Sequence, residues 1–120
     1  MSLLESGENY LESILVLSLK QNEIHAIDIV NYLGYSKPSV SIMLKKLKES
    51  GYITINEESH IYLTDKGLEI AQKIYNRHKL LKNFLLSLGV SESTAEDDAC
   101  KIEHDLSDET INAIEKHLNN

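Results

Sequence analysis

A chain of 120 residues with one cysteine, one proline, one phenylalanine and no tryptophan leaves several protein classes out of reach. A lone thiol cannot form an internal disulfide, so a stapled secreted scaffold is excluded and a reducing cytoplasm is the expected setting. No apolar run approaches the roughly 20 residues that cross a bilayer, and no charged-then-apolar leader opens the sequence, so no membrane partner is expected. Five glycines and a single proline are too few for a collagen-like or linker-like chain. Positive charge is also scarce: the net charge of -7 counts against nucleic-acid binding if it is spread evenly. What remains, with 42% hydrophobic residues in helical spacing, is one small, mainly α protein.

The charge is not spread evenly. Residues 83–120 hold nine acids and two bases, whereas residues 1–82 hold ten of each. Within Lys20 to Gly51 five lysines face only Glu23, Asp28 and Glu49. The first part of the chain can therefore approach phosphate, and the last part would repel it and attract a cation.

That basic stretch carries the pattern of a helix-turn-helix. Ala26, Val30 and Leu33 fall on one face of a first helix, and Gly34 permits the reversal that follows. Ser36 is a ready N-cap, Pro38 fits a first helical turn, and Val40, Leu44 and Leu47 recur at i, i+4 and i+7 before Gly51 ends the second helix. Its other face offers Ser41, Ile42, Lys45, Lys46 and Lys48, with Lys37 and Ser39 in the first turn, the end that a recognition helix presents to base edges. An ordinary amphipathic pair with a solvated lysine face would look similar. The next residues separate the two readings. From Tyr52 the period becomes alternating, with Ile53 and Ile55 on one side and Tyr52, Thr54 and Asn56 on the other. Glu57, Glu58 and Ser59 make a turn, and His60 to Leu63 return with Ile61 and Leu63 inward. A hairpin directly after the second helix predicts a winged helix-turn-helix, preceded by a helix over Ser6 to Lys20 with Leu11, Ile14 and Leu15 on its apolar stripe.

After the wing, Thr64 can cap a long linking helix to about Leu88, with Ile70, Ile74, Leu81, Leu85 and Leu88 apolar, and Gly89 ends it. Ser91 caps a helix through about His104, and Ser107 caps a last one with Ile111, Ile114 and Leu118. Two short amphipathic helices cannot complete a core alone, so Ser91 to Leu118 is expected to pair with a second copy as a two-fold homodimer. The expected domains are residues 1–65, a DNA-binding winged helix-turn-helix, and residues 66–120, a helical region for metal binding and dimerisation.

Chemistry is concentrated in the penultimate helix, where Cys100, Glu103 and His104 at i, i+3 and i+4 project a thiol, a carboxylate and an imidazole from one face. The acids Glu96, Asp97, Asp98 and Asp105 nearby favour a divalent cation. Three ligands leave a transition ion undersaturated, and the additional donors are Glu12 and Asn9 of the first helix and His78 of the linking helix. Cys-x-x-Glu-His alone also fits a buried cysteine beside a solvated pair. A nucleophilic hydrolase is a poorer reading, because Cys100 and His104 ride one helix with no glycine-rich turn to supply oxyanion donors. Neither an enzyme activity nor a small-molecule substrate is expected.

Glu8-Asn9-Tyr10-Leu11-Glu12, Ser36-Lys37-Pro38-Ser39-Val40-Ser41, Leu63-Thr64-Asp65-Lys66-Gly67, Arg77-His78-Lys79-Leu80-Leu81 and the run from Ala99 to Glu109 stand in the order found in a known family. The chain resembles the diphtheria-toxin-repressor and manganese-transport-regulator group of metal-dependent bacterial repressors over nearly its whole length. The resemblance implies that His78, Cys100, Glu103 and His104 bind an activating metal, with Glu12 doing so in the manganese branch. It also implies that metal-loaded dimers bind palindromic double-stranded operator DNA and repress metal-uptake genes.

Against that family pattern, Asn9 replaces the methionine of the iron branch and the aspartate of the manganese branch, and Cys100 agrees with the iron branch. Lys82 stands where the ancillary site would have a carboxylate, Glu96 partly replaces a histidine there, and the SH3-like domain of the longer iron repressors is not expected. The thiol of Cys100 leads to an expectation of iron(II) ahead of manganese(II), with zinc, cobalt or nickel able to bind in vitro. The competing expectations are a manganese-responsive repressor, and a winged-helix regulator that senses redox through Cys100 or needs no effector.

Overall fold

Leu11, Ile14, Leu15 and Leu17 make the stripe that buries α1 (Glu5–Ser18), the first helix of the computed structural model, which describes residues 5–120. Residues 1–4 of the expected N-terminal domain lie outside the described residues. Leu11 and Ile14 are almost wholly buried, and each contributes about 1.5–3 kcal/mol of transfer free energy. Two helices follow, α2 (Ala26–Leu33) and α3 (Lys37–Glu49), then a hairpin of β1 (Ile53–Ile55) and β2 (Ile61–Leu63). The strands pair antiparallel in the register Ile53 with Leu63, Thr54 with Tyr62 and Ile55 with Ile61. α1 packs on α2 and β2, and α3 packs on α2 and β1, which is the winged helix-turn-helix expected from the periodicity.

Two details of that expectation change. The face of α2 that is fully buried is Ile29, while Ala26, Val30 and Leu33 are half-buried, because this short helix packs on α1 at one side and α3 at the other. Tyr52 is buried although alternation puts it on the solvent side of the wing. It precedes β1, its ring lies under the Lys66 ammonium at 4.3 Å, and its carbonyl accepts from the amide of Thr64. Gly67 is required at this contact, since a Cβ there would run into the Tyr52 carbonyl oxygen.

Thr64 caps α4 (Asp65–Ser87) by accepting from the Gly67 amide, and its hydroxyl donates to the Gly51 carbonyl at 2.7 Å. The chain divides into compact units of residues 1–72 and 73–120, and the division falls within α4. Leu88 lies beyond the helix end and is exposed, so it does not extend the apolar side of α4 as the spacing suggested. The second unit continues with α5 (Glu92–Ile102) and α6 (Asp108–Leu118), and α6 has no buried residue. No helix among the described residues is long and apolar enough to cross a membrane.

Candidate metal centre and nucleic-acid interface

In the second unit His78 is the hub. It occurs on α4 one turn after the buried Ile74 and is itself 8% exposed. Its Nδ1 lies 2.8 Å from Glu103 Oε2 and its Nε2 lies 2.9 Å from Glu96 Oε1. Both ring nitrogens thus face carboxylates, which only the doubly protonated imidazolium satisfies as donor. The Cys100 sulfur, 3.8 Å from Nδ1, and then the Glu103 and Glu96 carboxylates push the His78 pKa up to about 11 against the opposing effect of burial. Without metal, His78 is a cation in the midst of a thiol and two carboxylates.

The same atoms make a ligand set. His78, Glu96 and Cys100 each offer a donor within 4.8 Å of the others. Glu103 is wholly buried, and its second oxygen, Oε1, has no hydrogen-bond partner among the described residues. The His104 Nε2 atom approaches that oxygen to 3.4 Å without forming a hydrogen bond. A desolvated carboxylate oxygen without a donor costs about 1–3 kcal/mol or more, and a divalent ion would remove that cost. The donors therefore fit a transition ion, which would take a thiolate, imidazole nitrogens and carboxylate oxygens here. α5 stops at Ile102 rather than about His104, with Glu103 as its C-cap in helical conformation and His104 in the following turn. Cys100 is exposed in the single chain, and Glu103, which the alternative of a buried cysteine beside a solvated pair would leave in water, is wholly buried. Glu12 and Asn9 are both half-buried on α1, in the first unit.

Two neighbours of the site escaped the reading of the sequence. Arg77, the residue before His78, is buried and donates to the carbonyls of Glu103 at 3.2 Å and Leu106 at 2.7 Å, and to the Asp108 carboxylate. It ties the end of α5 to the start of α6, and with Lys73 it holds the Asp108 carboxyl below the usual carboxylate range. Lys82 was seen only as a missing ligand. Its ammonium lies 3.2 Å from Glu96 Oε2 and 3.7 Å from Glu92 Oε1, so it supplies a positive charge beside the acids. Glu96 is drawn both ways: burial works to raise its pKa, but hydrogen bonds from His78 and Lys82 outweigh it and the net shift is downward.

In the first unit, Ser36 caps α3 by accepting from the Ser39 amide, and its hydroxyl donates to Ser39 Oγ at 2.9 Å. Lys37, Pro38, Ser39, Ser41, Ile42, Lys45, Lys46 and Lys48 are all exposed, while Val40, Leu44 and Leu47 are buried beneath them. A groove of about 320 Å³ runs between α3 and the wing, with Lys45, Lys48 and Ser59 among its lining residues. Exposed lysines thus stand beside a groove, over a helix whose polar N-terminal turn is open, an arrangement with the charge and hydrogen-bonding groups that duplex phosphates and base edges require.

Residues 2–61 match the iron dependent repressor N-terminal DNA binding domain, and residues 64–120 match the iron dependent repressor metal binding and dimerisation domain. The chain belongs to the iron-dependent repressor family. Family members are metal-dependent transcriptional regulators and not enzymes. The chain is 39% identical over 112 residues to an uncharacterized HTH-type transcriptional regulator of Methanocaldococcus jannaschii, covering 92% of this chain and 90% of that protein. It is also 39% identical over 107 residues to the transcriptional regulator MntR of Salmonella typhimurium, covering 89% of this chain and 68% of that one. Among solved structures, the manganese regulator SloR superposes with a TM-score of 0.84 at 30% identity, over 99% of this chain and 55% of that chain. The chain thus spans about half the length of the solved family structures it matches.

Proposed function

We propose that this chain is a cytoplasmic repressor of metal-uptake genes whose homodimer binds palindromic double-stranded operator DNA when loaded with a divalent transition ion. The ligands are His78, Cys100, Glu103 and His104, with Glu12 and Asn9 of α1 and Glu96 as further donors. The carrying observation is His78 held between two carboxylates and a thiol, beside a wholly buried Glu103 that has an unsatisfied oxygen. To hold an ion, His78 would have to give up one of its two ring protons. Recognition helices spaced by the loaded dimer then meet successive major grooves, about 34 Å apart. Ser36 and Ser39 set the start of α3 against the bases, Pro38 packs on thymine methyls, and Lys37, Ser41, Ile42, Lys45 and Lys46 complete the contact.

The dimer reading rests on α6 and the end of α4. Ile111, Ile114 and Leu118 are only half-covered, and a shallow cavity of about 370 Å³ with Phe84, Leu88 and Ile114 in its wall lies open beside them. A second copy across Ser91 to Leu118 would cover this face.

Iron(II) as the activating ion rests on the donor chemistry alone, since a thiolate with imidazoles suits softer ions than manganese(II). Two of the similar solved structures are, by name, the manganese regulator SloR and a manganese-dependent transcriptional repressor in complex with manganese, which favours the manganese-responsive reading. Operator DNA titrated with metal-free protein and with separate anaerobic additions of iron(II), manganese(II) and zinc(II) tests both. Iron-selective binding supports the first reading and manganese-selective binding the second. Equal binding without any metal overturns the metal-dependent repressor.

A further inference from the structure

A second cluster of metal-ligating side chains lies in the DNA-binding unit, on residues that the C-terminal centre does not use. The segment Glu23-Ile24-His25 runs beside the start of β2, where the Ile61 amide donates to the Ile24 carbonyl at 2.8 Å. That backbone bond sets the next residues, His25 and His60, side by side, with ring centroids 4.6 Å apart and edges perpendicular. Ile24 turns into the core, so the alternation of an extended segment puts Glu23 with His25 on the outer side. Glu23 Oε2 is 3.7 Å from His60 Nε2, and Glu58 Oε2 of the wing turn is 3.9 Å from the same nitrogen. Donor atoms of Glu23, His25 and His60 all lie within 4.8 Å of one another.

We propose that Glu23, His25 and His60 form a second divalent-metal site that takes zinc(II), with Glu58 or water as the fourth ligand. Two imidazoles and one or two carboxylates suit this ion, whose ligands in a tetrahedron stand about 3.3 Å apart. Small side-chain rotations close the observed spacing, because Glu23 and Glu58 are long and exposed. Two segments meet there: the entry to α2, with Glu23 and His25, and the turn before β2, with Glu58 and His60. Bound zinc therefore pins the wing to the helix-turn-helix. It also places two positive charges beside Glu57 and Glu58, the acids that otherwise repel phosphate at the wing tip.

The experiment titrates the metal-free full chain with zinc(II), and with cobalt(II) as a spectroscopic probe. The proposal expects a second equivalent of metal that produces no sulfur-to-cobalt charge-transfer band and shifts the imidazole NMR signals of His25 and His60. Both His60→Gln and the exposed Glu23→Gln should weaken that equivalent by at least about tenfold and leave any thiolate band unchanged. The readout is separate from the C-terminal centre: absence of the thiolate band would count against Cys100 and not against this site. Unshifted His25 and His60 signals in wild type at saturating cobalt overturn the proposal without recourse to any variant. So does full retention of the second equivalent in Glu23→Gln and His60→Gln.

Discussion

Arg77 donates to the backbone carbonyl of Glu103, so the side chain next to one candidate metal ligand fixes the backbone of another. One guanidinium reaches Glu103, Leu106 and Asp108 together because its donors form a planar fork. A lysine at this position has one nitrogen and cannot span them. Arg77→Lys should therefore lower metal affinity by about 10- to 100-fold while the helical content is kept, the size of loss expected when support for a ligand is removed. Metal titration followed by circular dichroism checks this; unchanged affinity would reduce Arg77 to a helix-packing residue.

His78 links metal affinity to pH. Its pKa is raised from 6.5 to about 11 in the metal-free protein, so metal must expel a proton throughout the physiological range. His78 alone should contribute about a tenfold rise in affinity per pH unit, with close to one proton released from it per ion bound. The stability of the metal-free protein should run the opposite way. Because the folded pKa is raised, the folded chain holds a proton that the unfolded chain lacks between those two values, so the contribution is complete below pH 6.5 and is lost as pH climbs through about 11. Denaturation midpoints of the metal-free protein at pH 6.5 and 9.5, compared with His78→Gln, test the sign. A midpoint that rises with pH in wild type alone would contradict it.

Lys82 is the counter-charge of Glu96 and Glu92. Lys82→Glu would replace that cation with a further oxygen ligand next to Glu96, and should permit an additional weak metal equivalent near the C-terminal centre. Equilibrium dialysis with manganese(II) counts the ions. A stoichiometry equal to wild type would show that the acids of α5 hold no ion even without the ammonium.

The fold was largely legible because periodicity records which face is buried. Val40, Leu44 and Leu47 in α3 and the hairpin strands followed it directly. Tyr52 did not, since its burial comes from Lys66 and Gly67, which local alternation does not register. At the candidate centre, residue chemistry and family pattern singled out His78, Cys100, Glu103 and His104. The Arg77 clamp was missed because its partners lie 26 to 31 residues away and two of them are backbone carbonyls, which any sequence supplies. The role of Lys82 was hidden in the same way: a ligand lost from a motif does not reveal that its replacement makes an ion pair.

For DNA, the exposed Lys45 and Lys46 should meet phosphates and Pro38 should meet bases. Lys45→Ala and Lys46→Ala should each weaken binding to all duplexes and reduce the slope of log affinity against log salt by about 0.9. Pro38→Ala should instead alter sequence preference with the slope unchanged. Fluorescence anisotropy over a salt series separates these outcomes. Unaltered slopes in both lysine variants would place the docking face elsewhere.

Cys100 supplies the sharpest test of metal choice. The thiol is exposed and 3.8 Å from the His78 ring, in a centre whose other donors are carboxylates and imidazoles. A thiolate there is a soft ligand, and it favours iron(II), cobalt(II), nickel(II) or zinc(II) over manganese(II), which prefers oxygen and stands lowest in the divalent order. Cys100→Asp exchanges the sulfur for a hard oxygen at nearly the same reach. It should shift activation of operator binding towards manganese(II) and weaken the response to the softer ions, whereas His104→Ala should weaken the response to every metal because it removes a ligand without replacing it. Operator binding measured against buffered free metal, for wild type and both variants, checks the two outcomes together. If Cys100→Asp leaves the ranking of metals unchanged while His104→Ala abolishes activation, the ion is held by the histidines and carboxylates, and Cys100 acts through its contact with His78.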